Sequence, residues 1–343
     1  MRFLFCHPGP HFSVHDMYIG WAEALRNAGQ QVYDFNLQDR LTFYAEILLP
    51  VPGQDGAFKK ALGDPDRVAE LAVNGLYAAM MKIRPHVLFV VSGFFVPAQL
   101  LDVARRSGIR VVLLCTESPY EDTRQAQLAQ HADLTLLNDP TNLAAFPAGT
   151  AYVPHAYRPT IHHRGPALPN LVCDLAMVGT GYPSRIAFFE AMALDGLDVL
   201  LAGNWRLLAD GSPLHRYVGH EVTDCLDNAD AADIYRSARV GINLYRREAE
   251  SAEHTAGWAM GPREVEMAAC GLFFLRDPRG EGDEVLDMPT FTDPAEASAL
   301  LRWWLANPDA REAAARKAHD AVADRTFDNH ARRLLRLLEG TRH

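Results

Sequence analysis

With 343 residues the chain exceeds the usual reach of one hydrophobic core, so two domains of ordinary size are expected. A hydrophobic fraction of 48% and a charged fraction of 22% exclude an intrinsically disordered chain. A formal net charge of −10 sets the chain as a whole against a phosphate backbone, which argues against a dedicated nucleic-acid binder. The arginine pairs Arg105-Arg106, Arg246-Arg247 and Arg332-Arg333 leave room for local basic patches, although solvated helix surface is their commoner use. The five cysteines, Cys6, Cys115, Cys173, Cys225 and Cys270, are widely spaced without a C-x-x-C pair, which points away from zinc and toward a reducing, cytoplasmic setting.

The apolar run over 3–6 reads as a first strand rather than a signal-peptide core. A helix over 14–28 follows, with Ser13 and Asp16 as a capping box and Met17, Trp21, Leu25 and Ala28 on its apolar face. After a strand over 31–35, Asp64-Pro65 opens a long helix that carries Val68, Leu71, Ala72, Leu76, Ala79 and Ile83 on one side. A strand over 86–91, a helix over 97–107, a strand over 109–115, a helix near 121–131 and a short strand over 134–137 complete the first half. Continuous apolar strands between helices predict a parallel sheet covered on both faces. The longest apolar stretch, 87–96, is interrupted by Ser92-Gly93 and is too short to span a bilayer, so no membrane insertion is expected.

The segment 149–170 breaks the rhythm with Pro154, Pro159, Pro166 and Pro169 beside His155, His162, His163 and Arg164, and reads as a linker at the domain boundary. A second alternation follows, with strands over 175–178, 198–202, 240–244 and 272–275, helices over 185–194 and 229–237, and a short helix ending at Gly271. Helices fill 294–338. The fold class expected is α/β, two Rossmann-like doubly wound domains facing a ligand cleft.

Several segments carry chemistry. Arg263 to Gly271 places two acids on the first turns of a helix that ends at a glycine suited to a left-handed cap. Arg263 and Glu266 lie three apart and so share a face, either as an intrahelical salt bridge or as a cation and carboxylate presented together. Gly179, Thr180 and Arg185 span a strand end, a loop and a helix start, which suits a diphosphate or is an ordinary βα turn. Gly203, Asn204 and Trp205 follow another strand; the indole could stack on a nucleobase, but capping the core is favoured. His7, His11 and His15 cluster around Pro8 and Pro10 at the carboxyl end of the first strand, and a polar acceptor-facing loop is favoured there over a metal site. Ser92-Gly93-Phe94-Phe95 and Thr116-Glu117-Ser118 follow the next strands, and Glu117 suits either deprotonation of a hydroxyl or the first turn of the next helix.

The ordered series Gly179 to Arg185, Ala202 to Trp205, Ile234 to Leu244 and Arg263 to Gly271 resembles the glycosyltransferases of the spore-coat and spore-maturation kind, a GT-B branch near families 4 and 1. The likeness extends to Thr326-Phe327 and His330-Arg332-Arg333, while the first half matches mainly in architecture. It implies an acceptor-binding domain over 1–155, a nucleotide-sugar-binding domain over 170–325, and a C-terminal helix over 326–343 packing back on the first domain. It further implies metal-independent transfer of a hexose-type sugar from a nucleotide diphosphate-sugar to an acceptor hydroxyl, with no cofactor beyond the donor and UDP slightly favoured.

Donor contacts are implied at Gly179, Thr180, Arg185, Gly203, Asn204, Trp205, Arg263 and Glu266. Arg263 and Arg185 would face the diphosphate and Glu266 the ribose, which leaves Glu264 as surface. Acceptor contacts are implied at His7, His15, Phe94 and Phe95, and catalytic roles at Glu117, His11 and His155, the last being either a donor contact at the domain crossover or a hinge. The pattern departs from the E-x7-E of retaining family members, because Trp258 stands eight residues before Glu266 and Glu248 and Glu253 are loose substitutes. The acceptor (protein, glycan, small molecule or modified DNA base), the stereochemical outcome and the oligomeric state stay open. The alternatives are a sugar-nucleotide epimerase or hydrolase of the same fold, or a non-catalytic sugar-nucleotide or partner-binding module.

Overall fold

The computed structural model describes residues 1–7, 15–49, 63–219, 225–248 and 257–340. The chain forms two compact units, Met1–Val153 with Ala331–His343, and Pro154–His330.

The first unit contains β1 (Arg2–His7), α1 (His15–Asn27), β2 (Gln31–Asn36), α2 (Leu37–Leu48), α3 (Pro65–Ile83), β3 (Val87–Val91), α4 (Ala98–Arg106), β4 (Arg110–Cys115), α5 (Asp122–Ala129), β5 (Leu134–Leu137) and β6 (Ala151–Tyr152). The strands form one sheet in the order β2-β1-β3-β4-β5-β6, and every pair is parallel. All of β3 is buried, as a continuous apolar run must be when helices cover both faces of its sheet. The strand order reverses beside β1, so the carboxyl ends of β1 and β3 border the crevice that such a reversal creates. Helix α3 starts as its sequence dictates, with Pro65 in the first turn and the Asp64 carboxylate accepting from Arg67 N at 2.8 Å.

Helix α2 has no counterpart among the predicted elements. Its cap, Asn36, accepts from Asp39 N at 3.2 Å, but only Leu37 is buried while Phe43 and Ile47 are exposed, so its apolar residues do not mark one face. Ser13, expected to cap α1, lies outside the described residues.

The second unit contains β7 (Cys173–Val178), α6 (Pro183–Ala191), β8 (Val199–Ala202), α7 (Asn228–Ser237), β9 (Ala238–Asn243), α8 (Pro262–Cys270), β10 (Phe274–Arg276), α9 (Gly280–Val285), α10 (Pro294–Ala306) and α11 (Pro308–Ala321). Its sheet runs β10-β9-β7-β8, again all parallel. The final helix, α12 (Phe327–Gly340), begins in this unit, and from Ala331 on it belongs to the first, where the Arg110 guanidinium donates to the Leu338 carbonyl.

The proline-rich segment after β6 is tied down along its length. Tyr157 N donates to Arg325 O at 2.9 Å, Arg236 reaches Ile161 O at 2.9 Å, and Leu168 N donates to Ser237 Oγ at 2.9 Å. His162 is 1% exposed, so a stretch whose composition reads as linker is in fact part of the packed unit. Cys6, Cys115, Cys173 and Cys270 are buried and Cys225 is exposed, and burial pushes the thiols of Cys6, Cys173 and Cys270 up to about 12. No helix among the described residues is long and apolar enough to cross a membrane.

Helix α8 lies close against β9 because Gly241 has no side chain. A Cβ there would stand 2.6 Å from Met267 Sδ and 2.9 Å from Leu272 Cδ2. We therefore expect Gly241→Ala to destabilise the protein by about 1–3 kcal/mol in urea unfolding, through overpacking. An unchanged midpoint and slope would show that the β9–α8 layer has slack.

Candidate functional site

In the second unit two glycines let two loops and one guanidinium stack at the carboxyl edge of the sheet. Gly179 follows β7 and Gly203 follows β8, both with positive φ, 150° and 108°. A Cβ on Gly203 would lie 2.6 Å from Gly179 O, and one on Gly179 would lie 2.7 to 2.8 Å from the guanidinium atoms of Arg263. The two loops are laced by Gly179 N to Ala202 O and Gly181 N to Asn204 O, each 2.8 Å. Any larger residue at 179 would displace the arginine as well as strain the backbone.

Arg263 and Glu266 both come from the first turns of α8. The Arg263 side chain is half-buried above Gly179, and Glu266 is 7% exposed, with its Oε1 accepting from Asn228 Nδ2 at 3.2 Å. Burial raises the Glu266 carboxyl above the usual range, opposed by the charge of Arg263 and then by the Asn228 hydrogen bond. The two residues do not close on each other as a hydrogen-bonded pair among the described bonds; the carboxylate is held by α7 instead.

Glu264 corrects an expectation. The resemblance implies a surface position, but it is fully buried, accepting from Gly261 N at 2.9 Å and from the Tyr245 hydroxyl. Its position explains this: as the third residue of α8 its carboxylate folds back on the residue that starts the helix, closing a capping box.

Arg185 also differs from expectation. Its guanidinium is 4% exposed and donates from Nε to Leu244 O at 3.0 Å and from Nη1 to Thr180 O at 2.9 Å, while its face lies 5.1 Å from the Tyr182 ring. It braces the loop after β7 against the end of β9, with its hydrogen-bonding edge turned to carbonyls. Trp205 is fully buried, its N–H directed to Ala202 O at 3.3 Å and its ring packed against Gly181, which leaves no face for a nucleobase. Its core role prevails over stacking.

At the start of α6 the Ser184 N–H donates to Glu248 Oε1 at 2.7 Å. Although burial alone would raise it, hydrogen bonds from Ser184 hold the Glu248 carboxyl below its ordinary value. Trp258, eight residues before Glu266, packs its indole against Gly280 at the start of α9. Glu253 lies outside the described residues.

Of the remaining candidates, all but His155 belong to the first unit. His7 ends β1 and is 5% exposed, with its ring stacked on Tyr18 at 3.6 Å and 6.4 Å from His15. Burial, then the charge of His15, depress His7 to about 4 against the pull of Asp34 and Asp39, so it is neutral near pH 7. His11 lies outside the described residues. Phe94 is half-buried beneath the Arg124 guanidinium at 5.3 Å, and Phe95 is 43% exposed. Glu117, half-buried after β4, follows Thr116, whose Oγ1 meets Ser92 Oγ at 2.5 Å. These belong to the first unit; His155, half-buried, belongs to the second. Among the described residues no group of three or more His, Cys, Asp or Glu is arranged to hold a metal ion.

Asn228 and Tyr245 are site residues that sequence reading missed. Asp227-Asn228 reads in sequence only as a helix start, and nothing local reveals that Asn228 meets a carboxylate 38 positions away.

Residues 185–337 match the family model described as "Glycosyl transferase-like". Comparison with curated protein sequences gives no match. Among solved structures, a sucrose-phosphate synthase from Thermosynechococcus elongatus superposes with TM-score 0.66 at 13% identity, covering 99% of each chain. An α-glucosyltransferase in complex with UDP and DNA containing an HMU base gives 0.66 at 11% identity, over 98% of this chain and 99% of that one. A Listeria monocytogenes protein described as a UDP-N-acetylglucosamine 2-epimerase gives 0.62 at 14% identity, over 99% and 96%. The chain thus has the GT-B fold, and its C-terminal part carries a glycosyltransferase-like domain.

The raised Glu266 carboxyl has a defined effect on stability. A carboxyl raised in the folded state contributes stability that is complete below its unfolded pKa, about 4.3, and lost as pH rises through the folded value. Glu266→Gln is therefore expected to lose less unfolding free energy than the parent between pH 5 and pH 8 in urea titrations. A variant whose stability declines as steeply as the parent's would show that Glu266 is not a charge buried at a cost.

Proposed function

We propose that this protein is a glycosyltransferase that moves a sugar from a nucleotide diphosphate-sugar, UDP favoured, to an acceptor hydroxyl. The observation that carries the reading is the Arg263 guanidinium seated above Gly179 with Glu266 one helical turn further along α8. That arrangement stands at the carboxyl edge of a doubly wound sheet, where ligands of such folds bind, and within the stretch matching the glycosyltransferase-like model. In support, two superposable structures are a UDP-bound glucosyltransferase and a sugar-phosphate synthase. The resemblance of the ordered motifs supports the spore-coat and spore-maturation type, and cysteines free of disulfides suit the cytoplasm.

In this reading the chemistry is electrostatic. As the bond between the anomeric carbon and the diphosphate oxygen breaks, negative charge grows on the leaving diphosphate, and Arg263, over the glycine loops after β7 and β8, stabilises it. Glu266, which when ionised accepts at both oxygens, takes hydrogen bonds from the ribose hydroxyls; Arg263 and Asn228 favour that ionised form. Arg185 and Trp205 keep the glycine loops in shape, and Gly179, Thr180, Gly203 and Asn204 offer backbone to the donor. The acceptor hydroxyl gives its oxygen to the anomeric carbon and its proton to a base, for which Glu117, His11 and His155 are the candidates, with His7, His15, Phe94 and Phe95 on the acceptor side.

Thermal-shift measurement with UDP, GDP, dTDP and their sugars tests the donor class. UDP at about 100 times its Kd is expected to add about 2.7 kcal/mol of stability to the parent. The shift should be much reduced in Glu266→Ala and in Gly179→Ala, where a Cβ expels the guanidinium. No shift with any nucleoside diphosphate would sink the reading, and an equal shift in Glu266→Ala would remove the ribose role. Incubation with sugar nucleotide and no acceptor separates the epimerase reading, which the Listeria structure favours: a new sugar nucleotide would overturn transfer.

A further inference from the structure

We infer that Glu264 is a positioning residue of the donor site, acting through Tyr245 and Gly261 to hold the Arg263 guanidinium over Gly179. The inference rests on the donor-site reading and deepens it. Arg263 occupies a slot defined by the missing side chain of Gly179, so a small rotation at the start of α8 would carry the guanidinium out of it. What fixes that start is the next residue. The Glu264 carboxylate binds Gly261 N–H, at the head of the helix, and the Tyr245 hydroxyl, in the chain that has just left β9. One side chain thus joins the chain leaving β9 to the helix that carries the arginine.

Both partners are themselves anchored. Tyr245 N donates to Asp277 Oδ2 at 2.9 Å beyond β10, and its ring lies 4.1 Å from the Arg279 guanidinium, whose Nε donates to Gly257 O at 2.8 Å. Two residues ahead of α8, Met260 N donates to Glu281 Oε2 at 2.7 Å. The approach to α8 is therefore held by α9 on one side and by Glu264 on the other.

As a stabilising device Glu264 is poor. It is a fully buried acid whose Oε1 has no hydrogen-bond partner among the described residues, and an unmatched buried polar atom costs free energy. Its two matched bonds fix direction, which is what Arg263 requires, since a bound diphosphate is rewarded only if the cation is in place beforehand.

Calorimetric titration with UDP tests this on the intact chain. Glu264→Ala is expected to weaken UDP binding by about tenfold and Tyr245→Phe by about threefold, while Glu264→Gln, which keeps an acceptor for Gly261 N–H, stays within about threefold of the parent. In an Arg263→Ala background Glu264→Ala and Tyr245→Phe should each change the affinity by less than about twofold, because the cation they position is gone. Losses of equal size in both backgrounds would overturn the inference, as would Glu264→Gln binding as weakly as Glu264→Ala. Should Glu264→Ala not fold, Tyr245→Phe in the two backgrounds decides by the same criterion. A parent that binds no nucleoside diphosphate sinks the donor-site reading and this inference together, whereas a parent that binds, with equal losses in both backgrounds, sinks the inference alone.

Discussion

A guanidinium stands where residue 179 would carry a side chain, and the second unit is arranged around that substitution of one residue's atoms for another's. Gly179 supplies the space, with a φ of 150° that an L side chain rarely adopts, and Gly203 admits the same backbone, since a Cβ there would stand 2.6 Å from Gly179 O. Gly241 does the equivalent one layer below, admitting Met267 so that α8 sits close to the sheet. Close packing of α8 then sets the height at which its first turn, and so Arg263, meets the loops after β7 and β8. The functional geometry is a consequence of three missing side chains.

Charge is distributed around this edge with a consistent division of labour. Arg185 and Glu248 are bonded to backbone and brace the loops, and Glu264 is bonded inside the approach to α8. Arg263 and Glu266 remain as the pair proposed to meet the donor. Their environment is unfavourable to the carboxylate when nothing is bound, since burial raises Glu266 more than Arg263 and Asn228 lower it. Functional sites commonly carry such tension, because a group solvated by its own protein has little left to offer a substrate. The tension also orders the network: the fully buried Glu264 fixes geometry, and the less buried Glu266 is the one left within reach.

The doubly wound character of both halves was readable because it is written in local pattern. Phe3 to Cys6, Val87 to Val91 and Leu175 to Val178 are continuous apolar runs that only a sheet covered on both faces accommodates, and β1, β3 and β7 lie there. Caps such as Asp64-Pro65 and Gly271 marked helix ends for the same local reason. Helix α2 escaped because its exposed Phe43 and Ile47 obscure the apolar face, and the packed run from Tyr157 to Leu168 escaped because prolines suggest a linker whether or not distant side chains bind it.

By itself, then, the sequence determined the alternation of strands and helices, the glycine loops after the strands, and Arg263 and Glu266 as neighbours on one helix face, since all of these depend on residues within a few positions of one another. The tertiary structure decided which of the charged residues are bonded within the protein. Arg185 bonds Leu244 O across 59 positions, Glu264 meets a tyrosine 19 residues earlier, and Asn228 meets Glu266 across 38. Such partners are chosen by proximity in space, and hydrogen bonds at that range leave no periodic trace along the chain.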